Sequence, residues 1–395
     1  MRRKKTACRR QERRPRRLLW LTAILLLWAG CLVLPAVGTE ESVGQNMPEG
    51  FSELTELLPE EVGELLPEGL DSEDPEAVGQ ALEELTGAER LLTYALELAG
   101  VELEASVRLF LRLCGLLLLA ALFGVLRDTL GSGALSGAVR FCTTTAIFAA
   151  ILYTQLTHLQ RVEEFFDRLS ALMGAMIPIT GAVWAMGGNV TTASAGTSTL
   201  YVFLTVCQRL CAEAVMPLCC LCMALALCNT LSPGIGLRGM AGTVKKGYTL
   251  SLGFIMTLLL AALGSQTAIT AARDSVTART AKMVSSTVIP VVGGSVGDTL
   301  RTVASGVGYL KSVVGVAGIA MIFLLLLPVL LSLVMSRLVF LLCGGVAELL
   351  GCEAEGRLLS ELGQIWGLMV AVVAMCSVMF ILALCIFLQT VVAAA

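Results

Sequence analysis

The stretch GSQTAITAARDSVTARTAKMVSSTVIPVVGGSVGDTL, residues 264–300, carries several charged residues and lies between strongly apolar segments. It is too polar to cross a bilayer as one ordinary helix, and a Pro-Val-Val-Gly-Gly sequence interrupts its helical pattern. Irregular backbone at membrane depth persists only where protein buries it or where it lines a water-filled path. We therefore predict that this central stretch is the functional centre. Its candidate functional or assembly residues are Gln266, Arg273, Asp274, Arg279, Pro290, Gly293, Gly294 and Asp298.

The composition of the chain is that of a membrane protein. Of its 395 residues, 56% are apolar and only 15% are charged, whereas globular domains carry about 25% charged residues. Several uncharged runs exceed the roughly 18 residues that indicate a transmembrane helix. The predicted fold class is therefore an all-α polytopic membrane protein.

Charge is strongly segregated along the chain. Residues 2–17 contain ten Arg or Lys and one Glu, and residues 39–105 contain nineteen Asp or Glu and one Arg. The basic tract and the apolar run that follows it predict a signal peptide over residues 1–38, or an uncleaved signal anchor. Residues 39–105 are then an acidic extracytoplasmic segment, and residues 106–395 a multipass transmembrane domain.

Two interpretations of the acidic segment remain open. Apolar residues at helical spacing between Pro75 and Leu103 predict an amphipathic helix, which could be a docking surface for a partner on the outer face. The alternative is a solvated acidic linker. Its negative charge disfavours binding to nucleic acid or to an anionic lipid surface.

The apolar runs predict about seven crossings after the signal, some of them broken or re-entrant. The segment Leu200–Leu231 is the most ambiguous, because it contains charged residues and Pro217. A single crossing there would place Arg238, Lys245 and Lys246 outside, against the positive-inside tendency. We therefore predict a broken pair at this point. The clearer predicted spans are Leu109–Leu126, Val139–Leu159, Ala171–Gly187, Tyr248–Gly264, Ser312–Ser336 and Leu362–Ala395, with a charged interfacial segment at Gln160–Ser170.

Arg209 and Glu213 are the candidate functional residues of the ambiguous segment. They are four residues apart, so on a helix they share one face. Isolated charges at bilayer depth are costly and often functional, and pairing reduces the cost. The pair could bridge two helices structurally or take part in a proton relay, and the sequence leaves both open.

The sequence contains no recognisable enzyme signature, so we predict a protein without enzymatic activity. A single histidine, His158, leaves almost no scope for the usual base or metal-ligand sets. Cys219 and Cys222 have the C-x-x-C spacing of zinc or redox sites, but they lie in an apolar run without nearby histidine. Helix packing is the favoured role for these cysteines. We predict no cofactor and no metal.

Six stretches of the chain have the character of family motifs: Gly264–Ile269, Arg279–Lys282, Ile289–Gly294, Lys311–Gly318, Asn229–Pro233 and the glycine-rich stretch 187–197. With these motifs the chain resembles the stage III sporulation protein AE family over roughly residues 110–390. The resemblance implies a membrane subunit of a secretion-like channel complex that connects mother cell and forespore and supports forespore development. It implies a location in the mother-cell membrane around the forespore. The implied partners are an ATPase, small multipass proteins and ring-forming proteins of the same operon, a forespore-membrane partner and membrane lipids.

Two other functions compete with this one. An independent secondary transporter would bind substrate where its helices are broken, at Arg209 and Glu213 and in the central stretch. A structural scaffold without a conducting path is the third possibility. Neither interpretation involves nucleic acid.

Overall fold

The computed structural model describes most of the chain beyond residue 74. All regular secondary structure in the described residues is helical, which confirms the predicted all-α class. These residues belong to the compact unit Glu40–Ala395, and the separate unit Met1–Thr39 lies outside them. The structure describes residues 48, 51, 53–56, 58, 67, 69–70, 72, 74–130, 134–186, 190–231, 239–240, 242–258, 261–262, 264–265 and 293–389.

Among the described residues, eight longer α-helices and one π-helical segment follow the four-residue helix Glu53–Glu56. Within the described residues, five stretches are long and apolar enough to cross a membrane: Thr93–Val125, Phe141–Met186, Ala214–Leu231, Gly306–Leu349 and Glu353–Cys385. The helices are α1 Pro75–Thr86, α2 Ala88–Leu130, α3 Ala134–Met186, α4 Val190–Cys207, the π-helix Gln208–Glu213, α5 Ala214–Leu231, α6 242–258, α7 Gly293–Leu349 and α8 Glu353–Gln389.

The bounds of helix α3 differ from those of the spans predicted from the sequence. The sequence predicted two crossings, Val139–Leu159 and Ala171–Gly187, separated by an interfacial segment, but one helix of 53 residues contains nearly all of both. Residues 138–173 include neither glycine nor proline, and an Arg168–Glu164 ion pair of 2.7 Å supports the charged turn. Since a continuous helix cannot reverse direction, these two segments are not antiparallel crossings of one bilayer.

The predicted broken pair at Leu200–Leu231 is also not what the structure shows. Every residue from Val190 to Leu231 is helical, and the only irregularity within this run is the π-helix Gln208–Glu213. Pro217 accounts for it, because proline has no N–H to donate to the carbonyl of Glu213 four residues earlier. The irregularity is therefore an internal widening of the helix.

Helices α7 and α8 form the central hairpin. Helix α7 contains the predicted span Ser312–Ser336 and continues beyond it to Leu349. Gly351 has φ 73°, Cys352 N donates to Ala347 O at 2.9 Å, and Gly351 N donates to Glu348 O at 3.2 Å. These bonds form a Schellman motif, which ends α7 and turns the chain into α8.

The acidic segment folds against this hairpin through α1. Asp74 caps α1 by accepting a bond of 3.0 Å from Glu76 N. Val78, Leu82 and Leu85 are buried, and Tyr309 of α7 donates its hydroxyl to Pro75 O at 3.4 Å. The amphipathic helix predicted between Pro75 and Leu103 is therefore confirmed only over Pro75–Thr86, and α7 of the same chain covers its apolar face. Beyond Gly87 the chain continues in α2, where Leu96 and Val101 are exposed.

Candidate functional site

A layer of polar groups crosses the apolar helices around the sole histidine. It joins α2, α3, α7 and α8, and at this level the guanidinium of Arg337 in α7 lies against Gly367 of α8. We call it the polar layer, and it consists of Glu102, Gln155, His158, Arg161, Ser332, Ser336 and Trp366.

His158 lies at the centre of the polar layer, between two serines of α7. Ser332 Oγ is 3.0 Å from His158 Nδ1, and Ser336 Oγ is 3.2 Å from Nε2. The two serines are four residues apart and so lie on one face of the helix. The ring of Trp366 packs edge-on against the imidazole, with 5.9 Å between ring centroids.

The chemistry of this arrangement allows the histidine to change its protonation. A serine hydroxyl can donate or accept, whereas each imidazole nitrogen does one or the other according to the tautomer. Rotation of the two hydroxyls therefore keeps both ring nitrogens hydrogen-bonded in either neutral tautomer and in the cation. That property is what a proton-carrying group needs.

An ion pair connects the polar layer to the surface. Arg161 Nη1 donates to Glu102 Oε1 at 3.1 Å and to Ser332 Oγ at 3.5 Å. The Arg161 side chain is 52% exposed and that of Glu102 is 15% exposed. A continuous hydrogen-bonded chain therefore runs from an accessible arginine to Ser336 inside the bundle.

Two buried polar side chains of the layer have hydrogen-bonding capacity left over. Gln155 is 0% exposed, and neither atom of its amide has a partner among the described residues. The indole nitrogen of Trp366 is also buried without one. Unsatisfied buried amides are costly and rare, so this part of the layer has the chemistry to hold a small polar molecule.

A buried ion pair links α6 to α8. Lys245 Nζ lies 3.8 Å from Glu361 Oε2, and the two side chains are 12% and 7% exposed. Next to it, the C-x-x-C cysteines of α5 are both buried, and Cys219 Sγ lies 3.0 Å from Met369 Sδ. Cys219 thus packs against α8.

A groove also lies between α7 and α8, on the side of the turn that joins the two helices. Its volume is about 310 Å³, and Arg337, Glu348, Ser360 and Gln364 supply its polar lining. Glycines make the close approach of the two helices possible, since a Cβ on Gly356 would lie 3.4 Å from Gly344 O.

Arg209 and Glu213 lie on the π-helix, and both side chains are exposed. Among the ion pairs of the described residues, none joins these two, so the predicted pairing within the chain is not observed. Phe203 packs on Phe380 before them, and Cys219 on Met369 after them. Both charges therefore lie beside the uncharged part of α8.

The structure describes only residues 264–265 and 293–300 of the central stretch. Gln266, Arg273, Asp274, Arg279 and Pro290 lie outside the described residues. Helix α7 begins at Gly293, so its first two turns include three further candidates, whose backbone alone is described: Gly293, Gly294 and Asp298.

The sequence-based prediction missed both buried polar clusters. Ser332 and Ser336, four residues apart in an uncharged run, were a detectable signal, and so was a lone histidine in an apolar segment. Their partner is far away in the sequence, because Ser332 and His158 are 174 positions apart. Nothing local indicates that Lys245 and Glu361 meet.

The long apolar helices with buried polar clusters define an all-helical polytopic membrane protein. The chain belongs to the stage III sporulation protein AE family, whose model matches residues 82–391. It is 23% identical, over 277 residues and 69% of each chain, to stage III sporulation protein AE of Bacillus subtilis (strain 168). No solved structure matches it.

Proposed function

We propose that this chain is a membrane subunit of a sporulation-specific, secretion-like channel complex between mother cell and forespore, needed for forespore development. Family membership over residues 82–391, which include nearly every described helix, carries the proposal. The exposed charges at bilayer depth support a subunit role, because neighbouring proteins or water must cover them. The chain would have no enzymatic activity and no cofactor, and would depend on an ATPase from the same operon.

The finer membrane arrangement is part of this proposal. Residues 1–38 would act as a signal peptide or signal anchor, and residues 39–105 would lie outside the cytoplasm. Since α3 is one helix, the seven predicted crossings become six: α2, α3, the run α4–α5, α6, α7 and α8. This order returns Arg238, Lys245 and Lys246 to the cytoplasmic side, as the positive-inside tendency favours. It also brings the start of α7 to the side of α1, in keeping with the Tyr309–Pro75 contact.

Labelling tests this topology. A cysteine introduced at Arg238 should react with a membrane-impermeant thiol reagent only after the cells are opened, whereas one introduced at Ser72 should react in intact cells. Reaction of the Arg238 site in sealed cells would rule out the six-crossing order.

Co-purification from sporulating cells tests the complex itself. We expect the tagged chain to bring down the other membrane proteins and the ATPase of its operon, and deletion of its gene to abolish heat-resistant spores. The variant G293L/G294L should insert normally yet lose these partners, since bulky side chains at the start of α7 would fill a close contact. Gly308 offers a matched control in α7, because a Cβ there meets no atom within 4 Å. Recovery of the chain without partners would contradict the proposal.

A second candidate function, the independent secondary transporter, is favoured by one observation. His158, whose two ring nitrogens are hydrogen-bonded by Ser332 and Ser336 inside the bundle, is a group that can take up and release a proton. If the chain works alone, purified protein in vesicles should move protons, and H158L should stop this movement. Flux that requires the operon partners would instead favour the complex.

A further inference from the structure

One side of the helical run from α4 to α5 is exposed along its length. Exposed residues recur every three or four positions, while the opposite side packs on α8 and α3. The side contains apolar, small and charged residues. We call it the charged face, and its residues are Tyr201, Thr205, Arg209, Glu213, Pro217 and Cys220.

The two charges of this face have no tolerable environment in lipid. The contacts of Phe203 with Phe380 and of Cys219 with Met369 bracket them beside the uncharged part of α8. Arginine and glutamate side chains facing hydrocarbon are costly, and they are almost always turned toward protein or water. Another surface must therefore cover the charged face in the membrane.

We propose that a second copy of this chain covers it, so that the charged face is a self-association surface. All copies insert with the same orientation, so a twofold axis perpendicular to the membrane brings the two π-helices together in parallel. Arg209 of each copy then lies about one turn along the axis from Glu213 of the other, because the two positions are four residues apart on the π-helix. The long arginine side chain bridges that offset.

Charge complementarity selects this occupant. The face contains one cation and one anion, so two copies of it neutralise each other completely through two reciprocal ion pairs. Thr205 precedes the two charges along this face and Pro217 follows them, and both are compact enough to let the helices approach closely. The arrangement does not depend on which other proteins join the complex.

The natural cysteines report on this contact. Cys220 and Cys228 are exposed, the first on the charged face, and Cys142 is exposed on α3. Mild oxidation of membranes should yield a disulfide-linked dimer, because residues at equal depth meet across a twofold axis. The variant C220A/C228A should lower the dimer by about tenfold, whereas C142A should leave it unchanged. Absence of the dimer, while Cys220 still reacts with a soluble thiol reagent, would overturn the proposal.

Charge exchange tests the same contact in trans. R209E copies carry two acids on the face and E213R copies two bases, so each variant alone should lose about tenfold in cross-linked dimer. Co-expression of the two should restore it, because each copy then meets the opposite charge, and the double exchange R209E/E213R should restore it too. Failure of the mixed pair to cross-link, when both variants accumulate, would exclude direct contact of the two faces. If neither single variant accumulates, the double exchange and the oxidation of the unmodified chain decide the matter.

Discussion

Replacing Lys245 by methionine is expected to destabilise the folded protein by about 3–5 kcal/mol. The substitution keeps the volume of the side chain but removes the cation 3.8 Å from Glu361, whose side chain is only 7% exposed. The Glu361 carboxylate would lose this cation while it remains shielded from water, and removing one member of a buried ion pair is strongly destabilising. Thermal unfolding of the detergent-purified protein measures the effect.

The pair Arg357–Glu353 in the same helix serves as the control. It is short, at 2.7 Å, but its side chains are 52% and 77% exposed, so R357M should cost less than about 1 kcal/mol. The double variant K245M/E361Q removes both charges of this pair, so much of the lost stability should return. A loss in K245M no larger than that in R357M would show that water reaches the Lys245–Glu361 pair.

Replacing Gly196 by alanine is expected to cost about 1–3 kcal/mol, because it overpacks the contact between α3 and α4. An added Cβ would lie 2.6 Å from Trp184 Cη2 and 3.1 Å from Cε3, with Cζ3 closer still. Trp184 is 2% exposed, so the indole has little space into which it can move. Unfolding midpoints, together with the amount of protein that inserts into membranes, would measure the loss.

Gly174 provides the matched substitution in the same pair of helices. A Cβ there would approach only Leu204 Cδ2, at 4.0 Å, which is ordinary van der Waals contact. G174A should therefore leave stability unchanged or raise it by up to about 1 kcal/mol, since alanine favours the helix over glycine. Equal effects of the two substitutions would mean that the indole does not hold α4 in place.

Local features of the sequence determine a substantial part of this protein. Uncharged runs such as Ser312–Ser336 require helix in a membrane, because the backbone must satisfy its own hydrogen bonds there. The apolar spacing of α1 and its aspartate cap predict an amphipathic helix, which the structure contains. The motifs of residues 264–318 and their neighbours indicate the family that the comparison shows.

Local sequence features did not determine where a helix continues and where it ends. Charged residues in the middle of α3 and around Arg209 suggested chain turns, since charge and apolarity are the usual guides to a membrane boundary. A charged helical turn can nevertheless continue between two apolar segments when tertiary contacts give its side chains partners. Arg161 has Glu102 and Ser332 as such partners, and these lie on two other helices.

Only the tertiary structure brings the buried polar and titratable side chains together. His158 meets Ser332, and Lys245 meets Glu361, because α3, α6, α7 and α8 pack in one particular register. That register depends on close contacts such as Gly318 beneath Met176 and Leu384, and Gly344 beside Gly356. Each helix carries its polar residue by local sequence, but apolar surfaces attract one another without direction. The interlocking of glycines and large side chains along the whole interface selects the one alignment in which the polar groups face each other.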